Sequence, residues 1–184
     1  FLGVEIFFVI SGYLITALLL EEFNSYQRID LKQFWARRAR RLLPALFLYV
    51  AGSIALAYSM AEDVIPTKGE IISTLGYVYN WFGIFQEISY TDAFERKNFF
   101  HHLWSLAVEE QFYLIWPFVF AGLAKLKISR EQIGILMGIL ITISFGFSVI
   151  QTEQNEIWAF FMLPTRAWEM ALGALIACYK DQIL

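Results

Sequence analysis

Charge is what this sequence has least of. Only 17% of its 184 residues are charged, against about a quarter in soluble domains. Meanwhile 58% are apolar and 18% aromatic. A soluble domain of this size needs more polar surface than such a chain can supply. The deficit is also uneven, because Leu43–Ala61 and Ile133–Thr152 carry no charge at all. Cysteine is nearly absent. With Cys178 alone no intrachain disulfide can form, and nothing nearby would activate its thiol, so it reads as helix packing. No internal repeat, low-complexity tract or soluble domain stands out. The composition is that of an integral membrane protein.

A transmembrane helix needs about 20 mostly apolar residues. Five stretches meet that requirement: Phe1–Leu20, Leu43–Ala61, Phe99–Ala124, Ile133–Thr152 and Ile157–Tyr179. Ile71–Phe85 is shorter and suits an interfacial or re-entrant helix, with Asn80-Trp81 at a headgroup boundary. The expected fold is therefore all-α, a polytopic transmembrane helix bundle of about five spans plus that short helix. No n-region or cleavage site precedes Phe1, so Phe1–Leu20 reads as a span and not as a signal peptide. The 184 residues are expected to be one internal fragment of a longer polytopic protein.

Basic residues orient the bundle. Arg28, Lys32, Arg37, Arg38, Arg40 and Arg41 follow the first span, Lys125, Lys127 and Arg130 follow the third, and Lys180 follows the fifth. Five crossings put all three groups on one side, which the positive-inside rule makes cytoplasmic. Glu62–Asn98 and the acidic linker Gln151–Glu156 then lie outside.

Ionisable groups within spans are costly and are candidates for function. Glu5 lies in the first span, followed by Ser11-Gly12, a pair suited to close helix packing. It is either the partner of a neighbouring cation or a working carboxylate. On the third span His102, Ser105, Glu109 and Tyr113 fall at i, i+3, i+7 and i+11, one helical face, with Glu110 about 100° away. A histidine above a carboxylate suits proton relay or general acid–base work, whereas an interfacial anchor above a buried ion pair is the structural alternative. Metal binding is not expected, because no ligand spacing recurs. Arg166 and Glu169 on the fifth span are placed to pair along one face. The block Phe34–Pro44 reads as a short helical stretch rich in arginine and ending at Pro44. It could set topology and bind anionic lipid, or hold phosphates through guanidinium forks.

Taken in order, GVEIFFVISGYLIT (Gly3–Thr16), FWARRARRLLP (Phe34–Pro44), NW (Asn80-Trp81), HLWSLAVEEQFYLIWP (His102–Pro117) and LPTRAWEMALGA (Leu163–Ala174) resemble the acyltransferase family 3 of bacterial membrane O-acyltransferases. Glu5 and Tyr13 stand where that family more often has Asp and Phe. The resemblance implies transfer of an acyl group, acetyl by expectation, from cytoplasmic acyl-CoA to a hydroxyl of a cell-surface glycan. It implies a multi-pass protein of the bacterial cytoplasmic membrane, with no permanently bound cofactor and no nucleic-acid partner. On that reading Arg37, Arg38 and Arg41 hold CoA phosphates, and His102, Glu109, Arg166 and Glu169 line the central site. Glu5, Ser11, Ser105 and Tyr113 lie around it. The family's histidine base is expected on a first helix that these residues do not include, and its later helices are likewise expected to be missing. The fragment is therefore expected to be inactive by itself. A transporter or flippase using the intramembrane charges as a proton path is the alternative, although no repeat symmetry favours it.

Overall fold

The computed structural model describes residues 2–60, 65–87, 99–126 and 129–183. Every regular element among them is helical: α1 (Leu2–Tyr26), α2 (Leu31–Met60), α3 (Lys68–Leu75), α4 (Tyr79–Phe85), α5 (Leu103–Lys125), α6 (Arg130–Gln154), α7 (Glu156–Phe161) and α8 (Leu163–Ile183). Of these, α1, α2, α5 and α6 are long and apolar enough to cross a membrane. The expected fifth span corresponds to α7 and α8, and α8 alone has 21 residues, about 31 Å of helix. The chain divides into two compact units, residues 1–29 with 109–184 and residues 30–108.

The first unit is built around α1. Its buried residues Phe8, Ser11, Gly12, Ile15, Thr16 and Leu19 recur every three or four positions and form one stripe. Ile6, Ile10, Leu14 and Leu18 on the other side are exposed, as lipid-facing residues should be. In lipid, helices gain little from burying apolar surface and associate by close packing, which small residues permit. Accordingly, Gly12 lies against the backbone carbonyl of Met170, and Gly173 against that of Val9. Each glycine leaves no room for a side chain. Ala174 and Ala177 continue the buried face of α8.

These contacts also fix helix direction. Arg166 meets Glu5 while Gly173 meets Val9, so α8 runs parallel to α1. Glu109 bonds Ser11 and Trp116 bonds Thr16, so α5 is parallel to α1 as well. Ser144 bonds Pro164 while Gly134 meets Tyr179, so α6 is antiparallel to α8. Two spans that cross in the same direction are joined by an odd number of crossings. Between α1 and α5, α2 supplies one. With 8 and 7 residues, α3 and α4 are too short to add others. The helix directions match a five-crossing path.

Three boundaries differ from expectation. The arginine block does not end at Pro44, because α2 continues through that residue to Met60. A proline removes one helical hydrogen bond, but the long apolar run after it has no better arrangement in lipid than to stay helical. The third span starts at Leu103, and Phe99–His102 form turns. The Phe99 carbonyl is taken there by the Tyr49 hydroxyl at 2.6 Å. The fifth span is broken at Met162, whose backbone is extended at φ −85° and ψ 142°. Pro164 explains the break: it has no N–H for the Phe160 carbonyl, and its ring is tolerated only in a helix's first turn.

In the second unit α3 opens with a reciprocal cap between Thr67 and Glu70. Asn80 of α4 is wholly buried, and Trp81 stacks on Phe85. Of the loop expected outside, residues 62–64 and 88–98 lie outside the described residues, as do Ala61 of the expected second span and Lys127.

Candidate functional site

Two polar clusters hang from α1, about two helical turns apart. The first joins Glu5 of α1 to Arg166 and Glu169 of α8. Arg166 Nη1 donates to Glu169 Oε1 at 2.8 Å and lies 3.9 Å from Glu5 Oε1. Its Nε donates to the Phe160 carbonyl at 3.3 Å, the group that Pro164 leaves without a helical donor. The guanidinium carbon also sits 5.0 Å from the centre of the Phe160 ring, a cation–π distance. The cation is thus held by a carbonyl, a ring and a carboxylate. Among the described residues its Nη2 donates to none. Glu169 is fully enclosed, and among the described residues its Oε2 has no hydrogen-bond partner.

The second cluster lies between α1 and α5. Ser11 Oγ donates to Glu109 Oε1 at 2.5 Å. Tyr113 donates its hydroxyl to the Ser11 carbonyl at 3.1 Å. One turn further, Trp116 Nε1 donates to Thr16 Oγ1 at 2.8 Å, and Thr16 in turn donates to the Gly12 carbonyl at 2.7 Å. All these side chains are buried, where a satisfied polar network is rigid and an unsatisfied one is costly.

The remaining candidates belong to the second unit. His102 is exposed in the turn before α5, not on the helix, and Tyr49 presents its ring edge-on at 5.6 Å. Although its surface is largely open, partial desolvation of the ring lowers its pKa from the usual histidine value. His101 is pushed down to about 4 by burial and by its neighbour His102. Both are therefore neutral at pH 7. Ser105 spends its hydroxyl on the His102 carbonyl, three residues back, at 3.1 Å. Arg37, Arg38 and Arg41 lie within little more than one turn of α2, Arg37 and Arg41 exposed and Arg38 half-buried.

Sequence reasoning found the Arg166–Glu169 pair, and it named Glu5, Ser11, Glu109 and Tyr113 without knowing which met which. It did not foresee Phe160, Thr16 with Trp116, Tyr49 or Ser144. Only Pro164 signalled any of these, through the carbonyl it frees.

A half-buried cation between two carboxylates and a buried serine–carboxylate pair both hang from an apolar helix long enough to cross a membrane. The chain belongs to the acyltransferase-domain family, whose pattern it matches over residues 1–184. It is 36% identical over 182 residues to the peptidoglycan O-acetyltransferase OatA of Listeria monocytogenes, covering 96% of this chain and 29% of that protein. It is 37% identical to the putative peptidoglycan O-acetyltransferase YrhL of Bacillus subtilis, covering 96% of this chain and 28% of YrhL. A putative O-acetyltransferase of Staphylococcus aureus, SACOL0978, is 39% identical, with 96% and 30% covered. The chain thus spans under a third of the length of these relatives. No solved structure matches it.

Proposed function

We propose that the protein containing this chain is a cell-envelope O-acetyltransferase of the bacterial cytoplasmic membrane. In this reading it moves an acetyl group from cytoplasmic acyl-CoA to a hydroxyl of an extracytoplasmic glycan of the peptidoglycan type. Transfer to a hydroxyl needs a base for its proton and a donor for the oxyanion that forms at the thioester carbonyl. The observation that carries the reading is Arg166: a guanidinium fixed on three sides with its Nη2 edge left for a ligand. Such a preorganised cation costs little to orient as negative charge develops. The base is the histidine that the family resemblance implies, with Glu109 or Glu169 orienting it. His102 receives the acceptor at the outer boundary. Arg37, Arg38 and Arg41 hold CoA phosphates in bidentate pairs, which lysine would not reproduce. Glycan substrates named for the relatives support a peptidoglycan acceptor.

The test is release of free CoA thiol by the full-length protein in membranes supplied with acetyl-CoA and peptidoglycan fragments. Acceptor-dependent thiol release with ester formation on the glycan is the expected result. Passage of acetyl or glycan across the membrane without thiol release identifies a transporter and overturns the proposal.

A further inference from the structure

In a regular helix the carbonyl of residue 164 pairs with the N–H of residue 168. In α8 a side chain from another helix joins that rung. Ser144 of α6 donates its hydroxyl to the Pro164 carbonyl at 2.6 Å and accepts from the Trp168 N–H at 2.9 Å. The serine is buried, in a helix whose other face is largely exposed. A serine or threonine within a helix ordinarily bonds its own preceding turn, as Thr142 does with the Gly138 carbonyl. Ser144 instead spends both its donor and its acceptor on α8. Side chains inserted in this way open or bend a helix at the point of entry.

The rung encloses Arg166 and directly precedes Glu169. Pro164 frees the Phe160 carbonyl that anchors Arg166 Nε at 3.3 Å, and Thr165 donates to the Met162 carbonyl at 2.8 Å. The first turn of α8 is therefore tied on one side to the chain break at Met162 and on the other to Ser144. Phe145 adds an edge-on ring contact to Trp168 at 5.2 Å. We infer that Ser144 is a positioning residue, setting the backbone of the 164–168 turn so that Arg166 presents its open Nη2 edge to the acyl group. The inference rests on the proposed role of Arg166. Ser144 touches no substrate and acts through the turn it bridges.

The test uses the full-length protein at matched membrane levels, assaying acetyl transfer from acetyl-CoA to peptidoglycan fragments. Ser144→Ala removes both bonds, and Ser144→Cys keeps the size but bonds weakly. Both should lower kcat about tenfold or more, the scale of losing well-placed hydrogen bonds in a buried site, while KM for acetyl-CoA stays within about twofold. Ser144→Thr, which keeps the hydroxyl, should restore at least half the rate. In an Arg166→Lys background, Ser144→Ala should cost little more, since coupled residues are not additive. A merely structural serine would instead give losses that multiply. Full kcat in Ser144→Ala, no recovery in Ser144→Thr, or multiplying losses each overturns the inference. Full activity in Arg166→Lys alone refutes the role of Arg166 and leaves the two failures distinguishable.

Discussion

Ser11 and Glu109, 98 residues apart in sequence, share a buried hydrogen bond of 2.5 Å. The serine is the donor and the carboxylate the acceptor. Tyr113 holds the same serine by its carbonyl. Glu110, the next residue, is only half-buried and turned about 100° away. Glu109→Gln should therefore abolish transfer in the full-length protein while insertion persists, and Glu110→Gln should cost less than about threefold. Acceptor-dependent transfer at matched membrane levels decides the matter. Equal damage from the two variants would mean that the wrong face of α5 has been chosen.

Gly12 and Gly173 face backbone carbonyls, which cannot move aside as a side chain can. Gly12→Ala and Gly173→Ala should each force α1 and α8 apart and destabilise the protein by about 1–3 kcal/mol, the usual cost of overpacking. Gly146 has nothing within 4 Å of an added Cβ, so Gly146→Ala should be neutral or slightly stabilising. Thermal unfolding of the detergent-solubilised full-length protein measures both effects. Unchanged stability in Gly12→Ala would contradict the packing.

Histidine burial predicts a pH dependence of stability. His101 titrates near 4 in the fold, against about 6.5 when unfolded. Between those values the unfolded chain binds the additional proton, so stability rises with pH across that window. The contribution of the neutral imidazole is complete above about pH 6.5 and is lost as the pH falls towards 4. Melting temperature measured between pH 7.5 and 5 should fall, and should fall less in His101→Gln. An identical decline in the variant would assign the effect to other groups.

The helix directions predict accessibility. In a cysteine-free background (Cys178→Ser), single cysteines at Gln27 and Leu126 should react with an impermeant reagent from the same side. One at Asn155 should react from the other. The positive-inside rule makes the first side cytoplasmic. Labelling of positions 27 and 126 from opposite sides would require an additional crossing.

The apolar runs behind α1, α2, α5 and α6 were legible because bilayer thickness imposes a length that composition alone reveals. The Arg166–Glu169 pair was legible because an i, i+3 spacing is a local geometric fact. The start of α5 was not. Phe99 and Phe100 continue an apolar run, yet the Phe99 carbonyl belongs to Tyr49, fifty residues away. His102 consequently leaves the helix face on which its spacing had placed it. The break at Met162 had a local signal in Pro164. Ser11 with Glu109, and Ser144 with the first turn of α8, had none, because each depends on which helices become neighbours.

Arg166 carries the central claim, and Arg166→Lys tests it most directly. Lysine keeps the charge but cannot span the Phe160 carbonyl, the Glu169 carboxylate and a ligand at once, as the guanidinium fork does. The measurement is acetyl transfer from labelled acetyl-CoA to peptidoglycan fragments by the full-length protein in membranes, with kcat and both KM values determined. The predicted result is a fall in kcat of about a hundredfold or more, the scale of losing an oxyanion donor, with KM for acetyl-CoA little changed. A lysine variant that transfers acetyl at the parent rate would contradict it.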